Sequence, residues 1–284
     1  MKMRKAAALL FAAFFIATGC ATRSGTTRLA YTASVGGAQE VYLYNAETGE
    51  ERQLTFTRGQ KESPAFSADG KWVFFSGDAD GEWEIYRVPA EGGEVERLTQ
   101  NLTPDRFPAC GILDASVAFL AFDYLGPALA HLDEPGNPDT LMRLGPVFPH
   151  TPDGLVLDRT GGLAAYVHSG DIGLLSLRSN LFRPVVASPA HNTDPAFTAD
   201  SRALVFSSDA GGSYDLYLAA LDGGETVRLT RETGDARYPA TDQDNRTIYF
   251  YLAPEGIYRR VETPPSLELL FRPAGELTGL ALWP

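Results

Sequence analysis

Four histidines, His131, His150, His168 and His191, are the residues of this sequence best suited to bind a metal ion. A catalytic zinc site needs about three protein ligands and a water molecule, and ligands on one element recur at short fixed spacings such as His-x-x-x-His. The four histidines show no such spacing, so only the fold could bring them together, and His150 and His191 are the pair that could meet. We expect ordinary hydrogen-bonding roles for them, and neither a metal nor another cofactor.

Cys20 has the surroundings of a lipidation site. It follows the small residues Ala-Thr-Gly at 17–19, which end an apolar run that three positive charges precede, and this is the order of an export signal. The run is shorter than the roughly 20 residues that a membrane-spanning helix requires. The segment resembles a bacterial lipobox, in which the cysteine is acylated and becomes the first mature residue. We therefore expect a signal peptide over residues 1–19, lipidation at Cys20 and a membrane anchor.

Two further expectations follow from this processing. Ala21, rather than Asp, follows the cysteine, which by the habit of such lipoproteins implies sorting to the outer membrane of an exported protein that faces the periplasm. Cys110 is then the one remaining thiol and cannot form an intramolecular disulfide. Because its neighbours at residues 107–112 are mostly apolar, we expect a buried, unreactive side chain.

The charge of the chain argues against nucleic acid as a partner. Removal of the three cationic residues of the signal lowers the formal net charge from -12 to -15. A duplex attracts clusters of Lys and Arg, and no cationic run longer than Arg259-Arg260 is present. The 265 residues that remain after position 19 suffice for one large all-β domain or two ordinary ones.

An internal repeat decides between these possibilities. The sequence Ser-Pro-Ala-Phe-Ser-Ala-Asp-Gly at residues 63–70 returns as Asp-Pro-Ala-Phe-Thr-Ala-Asp-Ser at residues 194–201. Each copy is followed by an apolar run, then a Tyr-containing strand, then Leu-Thr. A further copy begins at Tyr238-Pro239, and two degenerate copies lie between residues 107 and 177. A spacing of about 44 residues is typical of the four-stranded blades of a β-propeller.

The chain ends supply the last blade. Residues 28–55 match the second, third and fourth strands of a unit, and residues 277–283 can provide its missing first strand. Closure of the ring by both termini would remove the exposed edges of an open sheet. The sequence thus predicts an all-β, six-bladed β-propeller of four-stranded antiparallel blades over residues 28–284, preceded by a short tether at residues 20–27.

These residues resemble the TolB-type β-propeller family, whose blades carry a Pro-x-Trp-Ser-Pro-Asp-Gly strand and turn followed by Ile-Tyr and Leu-Thr strands. Residues 63–70, Ile85-Tyr86 and Leu98-Thr99 match this pattern, with Phe66 in place of Trp. TolB itself has an α/β domain before its propeller, whereas here the propeller starts close to the predicted anchor. The resemblance implies that residues just before each innermost strand surround the mouth of an axial channel. They are Lys61, Glu62, Asp105, Arg106, His191, Asn192, Asp194, Asp235, Arg237 and Glu276.

The resemblance favours binding over catalysis. The expected function is that of a periplasmic, membrane-anchored propeller that binds an envelope protein or peptide as a scaffold. The alternative is a propeller enzyme, a metal-dependent lyase or hydrolase acting on a polysaccharide or peptide, which would need several His, Asp or Glu side chains to converge in the channel. A third possibility places the function in the loop-rich stretch 124–152, which departs most from the repeat.

Overall fold

The computed structural model describes residues 26–111, 116–133 and 141–283 of the chain. The predicted signal peptide, Cys20 and the Pro-Gly-Asn-Pro segment at 135–138 therefore lie outside the described residues. Within the described ranges, no helix is long and apolar enough to cross a membrane.

The described strands form six antiparallel sheets of four strands each, which we number as blades from the start of the chain. Blade 1 contains β1 (Arg28–Val35), β2 (Ala38–Asn45), β3 (Glu51–Gln53) and the last strand, β24 (Glu276–Trp283). Blade 2 contains β4 (Lys61–Phe66), β5 (Trp72–Gly77), β6 (Glu84–Pro89) and β7 (Glu96–Arg97). Blade 3 contains β8 (Asp105–Ala109), β9 (Val117–Asp123), β10 (Gly126–Leu132) and β11 (Leu141–Val147).

The second half of the ring repeats this order. Blade 4 contains β12 (Gly154–Leu157), β13 (Leu163–His168), β14 (Asp171–Ser176) and β15 (Leu181–Val186). Blade 5 contains β16 (Asn192–Phe197), β17 (Ala203–Ser208), β18 (Asp215–Ala220) and β19 (Val227–Arg228). Blade 6 contains β20 (Asp235–Thr241), β21 (Thr247–Ala253), β22 (Gly256–Glu262) and β23 (Pro265–Phe271).

The predicted fold is confirmed, including the blade shared by both ends of the chain. In blade 1 the sheet order is β24-β1-β2-β3, and β24 pairs with β1 from Arg28↔Trp283 to Ser34↔Glu276. The apolar second strands are buried along nearly their whole length, as in β5, β17 and β21. Both faces of these strands are covered because neighbouring blades pack against each other.

The hairpins between first and second strands have the backbone that their residue types favour. Gly70, Ser201 and Asn245 adopt φ angles of 68°, 56° and 53° in the Asp-Gly, Asp-Ser and Asp-Asn turns.

We call the face of the ring that holds these turns the lower face. The upper face holds the loops between second and third strands and the loops between blades.

Blade 3 differs from the expectation of a loop-rich insertion at 124–152. Residues 126–132 and 141–147 form its third and fourth strands, and β10 pairs with β9 without interruption from Gly126↔Asp123 to Leu132↔Val117. The departure from the repeat therefore lies in sequence more than in architecture, because the backbone N–H and C=O groups of this blade form the same ladder with a different set of side chains.

The repeated Leu-Thr motif ends each of three blades in a buried latch. The Thr99 hydroxyl donates to Glu84 Oε2 at 2.5 Å and accepts the Ile85 N–H at 2.9 Å. Arg97 Nη2 lies 2.9 Å from the same carboxylate, which is fully buried. The equivalent latches are Thr55 with Glu40 and Thr230 with Asp215. Each latch satisfies a buried carboxylate and a backbone donor at once, so it joins the third strand to the end of the fourth.

We expect Thr99→Val to lower the free energy of unfolding by about 1–3 kcal/mol, because it leaves a buried donor and a buried acceptor without a partner. Urea denaturation of the full chain measures the loss. Thr99→Ser, which keeps the hydroxyl, and Thr57→Val at an exposed position are the controls and should cost much less. Equal losses for Thr99→Val and Thr99→Ser would contradict the latch.

Candidate functional site

The six innermost strands surround an axial channel with a volume of about 600 Å³. Its wall contains four Pro-Ala pairs at equivalent positions of the first strands: Pro64-Ala65, Pro108-Ala109, Pro195-Ala196 and Pro239-Ala240. These small apolar side chains leave room along the axis of the channel. Cys110 is half-buried and also lines the channel, so it is more accessible than the sequence suggested.

A β-bulge occurs in each of these four strands, at the residue before the proline. Ser63, Phe107, Asp194 and Tyr238 adopt φ angles between 51° and 58°, where non-glycine residues are uncommon. The pairing register shifts at the same points. Because proline has no N–H, the bulge leaves no donor unsatisfied at that residue, and it re-aims the side chains near the upper mouth of the channel.

The first cluster at the upper mouth is built around Arg106 in blade 3. Its Nε and Nη2 donate to the two carboxylate oxygens of Glu62 in blade 2, both at 2.7 Å. The guanidinium lies 4.7 Å from the ring centre of Trp83 and 4.8 Å from that of Phe107. Burial raises the pKa of Glu62, although Arg106 opposes this shift. A bidentate pair between two aromatic rings holds the arginine in one position.

The second cluster is built around Arg237 in blade 6 and has the same components. Arg237 Nε donates to Asp194 Oδ2 in blade 5 at 2.7 Å, and the guanidinium lies 4.3 Å from the Tyr214 ring and 5.1 Å from the Tyr238 ring. Burial raises the pKa of Tyr238 to about 12, so its hydroxyl stays protonated at neutral pH. Among the described residues, none accepts a hydrogen bond from the Nη atoms of Arg237.

The two clusters lie on opposite sides of the mouth, because blades 2 and 3 are separated from blades 5 and 6 by half of a six-bladed ring. Trp83 and Tyr214 both precede the third strand of their blade, and Phe107 and Tyr238 both precede the bulge proline. The carboxylates differ in position, since Glu62 lies two residues before its proline and Asp194 one residue before. The two clusters therefore have the arginine and its two aromatic neighbours at equivalent positions, while the carboxylate comes from a different position in each.

The ten residues predicted from the sequence fall into three groups. Those that line the channel are Glu62, Arg106, Asp194 and Arg237. Those buried between blades are Lys61, Asp105 and Asn192. Those in the rim outside the channel wall are His191, Asp235 and Glu276.

Lys61 serves the packing of blades. Its Nζ lies 3.2 Å from Glu40 of blade 1 and donates to the carbonyl oxygens of Thr57, Arg58 and Gly59. Asn192 likewise donates to the Gly170 carbonyl oxygen at 2.7 Å. Sequence position alone could not distinguish these residues from the channel-lining ones, because adjacent residues of a strand point to opposite sides.

Asp105 occupies the position equivalent to Lys61, three residues before the bulge proline. Lys61 neutralises the carboxylate of the preceding blade, whereas Asp105 lies close to Glu84. Burial, with additions from the charges of Glu84 and Asp123, raises the pKa of Asp105 to about 7, although Asn101 donates to it at 2.7 Å. The ionised form of Asp105 is therefore disfavoured in the folded protein.

The histidines do not meet in the channel. The His150 ring stacks on His168 with a centroid distance of 4.2 Å, and His191 Nδ1 lies 2.9 Å from the Tyr214 hydroxyl. His131 lies 3.1 Å from Asp133. In the ranges described by the structure, no group of three or more His, Cys, Asp or Glu residues is arranged to hold a metal ion.

Sequence reasoning missed the aromatic residues of both clusters, Trp83, Tyr214, Phe107 and Tyr238. A signal was present, because an aromatic residue follows the Gly-containing turn and precedes the third-strand carboxylate in both blade 2 and blade 5. Only the packing of neighbouring blades shows that these rings contact the arginines.

Comparison with known proteins agrees with this architecture. Residues 13–118 match the family model for the TolB beta propeller domain. The structure of TolB from Acinetobacter baumannii superimposes with a TM-score of 0.70 at 16% identity, covering 90% of this chain and 66% of that one.

Two curated relatives are similar over parts of their length. An uncharacterized protein of Agrobacterium fabrum is 32% identical over 84 residues, which are 30% of this chain and 29% of that protein. The uncharacterized peptidase YuxL of Bacillus subtilis is 27% identical over 208 residues, covering 68% of this chain and 30% of the peptidase. The matches thus span under a third of each relative.

The closed ring and its axial channel define the class of protein as a six-bladed β-propeller. Within that class, residues 13–118 match the TolB beta propeller domain and the fold superimposes on that of TolB, so the resemblance seen in the sequence is confirmed.

The raised pKa of Asp105 gives stability a specific dependence on pH. Between about pH 4 and pH 7 the unfolded chain has lost this proton while the folded chain retains it, so the contribution of Asp105 to stability falls as pH rises. We expect Asp105→Asn to remove this contribution and to stabilise the protein more at pH 7.5 than at pH 4.5. Urea denaturation at both pH values measures the difference.

The exposed Asp235, at the start of the equivalent strand in blade 6, provides the matched control. Asp235→Asn should give no such gain, since its carboxylate is in contact with water. If Asp105→Asn were equally stabilising or destabilising at both pH values, the assignment of the shift to Asp105 would be wrong.

Proposed function

We propose that this protein is a membrane-anchored periplasmic scaffold that binds an envelope protein through a peptide segment held at the upper mouth of the channel. The observation that carries the proposal is the pair of arginine clusters on opposite sides of that mouth. Each arginine is fixed by a carboxylate and two aromatic rings, so little side-chain entropy is lost when a ligand binds.

The chemistry of the mouth suits a peptide. The terminal nitrogens of Arg237 offer donors to a main-chain carbonyl or a carboxylate, while Glu62 and Asp153 in the channel lining offer acceptors. Below them the Pro-Ala wall accommodates apolar side chains. The enzyme alternative required several His, Asp or Glu side chains to converge in the channel, and no specific contact among the described residues favours it.

The location rests on the lipobox-like segment that ends at Cys20 and on the family resemblance. An acylated Cys20 would anchor the propeller by a short tether, since residues 20–27 precede the first strand. Anchoring of this kind, together with an export signal, supports the outer membrane facing the periplasm as the site of action.

The Arg106→Gln/Arg237→Gln double variant should reduce recovery of the partner at least about tenfold, because a hydrogen-bonded, stacked guanidinium is typical of binding hot spots. The measurement is quantitative affinity purification from crosslinked cell envelopes, followed by binding of the purified partner. Recovery should survive in the unlipidated Cys20→Ala chain when both partners are soluble.

Arg87 offers a matched control away from the mouth. It lies 4.0 Å from the Trp72 ring and donates to Glu96 at 2.8 Å and 2.6 Å, so Arg87→Gln removes a similar stacked ion pair. Equal loss of the partner in Arg87→Gln and in the double variant would point to a general loss of structure and would count against the mouth as the binding site.

Radiolabelled palmitate tests the anchor separately. We expect incorporation into the native chain and into Cys110→Ala, but none into Cys20→Ala, since acylation requires the thiol at position 20. Electrophoresis of immunoprecipitated protein after growth with the label measures this. Label retained by Cys20→Ala would show that the lipidation proposal is wrong.

A further inference from the structure

Large exposed apolar side chains are concentrated on one part of the surface. Among the described residues, eight such side chains are at least 38% exposed, and six of them lie in upper-face loops or at strand ends of blades 1 to 3. We call these six the apolar crescent: Val35, Phe56, Leu102, Tyr124, Leu125 and Val147. The other two, Leu181 and Leu267, lie on blades 4 and 6 towards the lower face.

Three members of the crescent are largely exposed to water and contribute little to the core. Leu102 is 94% exposed, Tyr124 is 92% exposed and Phe56 is 78% exposed. Phe56 and Leu102 follow the latch threonines Thr55 and Thr99, in loops that connect successive blades. Single exposed apolar residues are common, whereas several on neighbouring loops of one face are typical of interaction surfaces.

The charges around the crescent are mostly negative. The loop that holds Tyr124 also holds one of four exposed or half-exposed carboxylates. The other three lie in the loop between the second and third strands of blade 2, which contacts the Phe56 loop through the Gln60 N–H and Asp78. The Phe56 loop contributes one arginine, Arg58, while Arg97 pairs with Asp80. The carboxylates are Asp78, Asp80, Glu82 and Asp123. An acidic rim around apolar side chains attracts a surface of opposite charge.

We propose that the apolar crescent is a docking surface for a protein partner whose contacting face is apolar and basic. The inference extends the proposed scaffold function, on which it rests, by adding a surface outside the channel and a chemical class of partner. A second copy of this chain would bring the same acidic rim against itself, and like charges disfavour that pairing.

A lipid surface fits less well than a protein. Anionic headgroups are repelled by the same carboxylates. The chain also enters the ring at the lower face, where Arg28 contacts Gly70, while the crescent lies at the far end of β1. Cys20 and Arg28 are eight positions apart in the sequence, a distance of at most about 28 Å when the chain is extended. The predicted tether therefore joins the ring at the face opposite the crescent.

The test uses the full chain carrying Cys20→Ala and two synthetic amphipathic peptides, one of Lys and Leu and one of Glu and Leu. The Lys–Leu peptide should bind, and binding should weaken with salt. The Phe56→Ser/Leu102→Ser/Tyr124→Ser/Leu125→Ser variant should lose about tenfold or more in affinity, which corresponds to about 1.4 kcal/mol. Isothermal titration calorimetry measures both.

Two controls make the result specific. Leu181→Ser/Leu267→Ser removes exposed apolar side chains from elsewhere on the ring and should bind like the parent chain. Arg87→Gln, away from both surfaces, should also bind like the parent chain. Loss of the Lys–Leu peptide in Arg106→Gln/Arg237→Gln with unchanged binding in the crescent variant would assign the peptide to the channel mouth, so failure of the two proposals remains distinguishable. Thermal unfolding of each variant confirms that the fold is kept, since every substituted leucine, phenylalanine or tyrosine is exposed.

Four results would overturn the proposal. These are unchanged affinity in the crescent variant, equal binding of the Glu–Leu peptide, crescent-dependent binding to phosphatidylglycerol vesicles, and crescent-dependent dimerisation in sedimentation. The last two would assign the surface to lipid or to a second copy.

Discussion

The pairing of β24 with β1 is the constraint on which the rest of the structure depends. It joins the last described strand to the first, so that the inner edge of β1 is paired and blade 1 has four strands like the other blades. The seam is reinforced at the lower face, where the Arg28 guanidinium lies 4.3 Å from the Trp283 ring and donates to the Gly70 carbonyl oxygen of blade 2. Only a closed ring places blades 2 and 3 opposite blades 5 and 6, and the two arginine clusters acquire their mutual position from that closure.

Within the ring, buried charged groups hold the end of the fourth strand against the third strand in three of the blades. The latches place Glu40, Glu84 and Asp215 in positions that exclude water, and each carboxylate is compensated by a threonine hydroxyl and a cation. Lys61 extends one latch into the neighbouring blade, whereas Asp105 at the equivalent position adds a second carboxylate. The residue three positions before the bulge proline thus supplies an ion pair between blades 1 and 2, whereas between blades 2 and 3 it makes the stability of the protein depend on pH.

The two faces of the ring differ because their connections differ. The lower face consists largely of tight turns that are determined by Asp and Gly, which leaves little surface for variation. The upper face carries longer loops, which can hold aromatic rings against arginines at the channel and apolar side chains further out. Function on a repeat scaffold commonly lies on the face with the variable loops. The channel mouth and the apolar crescent are both on that face, so one partner could contact both.

The sequence by itself determined the repeat, the strand order, the turn residues and the sharing of one blade between the chain ends. These follow from local patterns, such as Asp-Gly turns and continuous apolar second strands, that recur about every 44 residues. The tertiary structure alone decided which polar residues face the channel. Arg106 and Asp105 are neighbours in sequence, yet one lines the channel and the other is buried against Glu84. It also decided that the rings of Trp83 and Tyr214 lie over arginines of the next blade, because these contacts depend on the packing angle between blades and not on spacing along the chain.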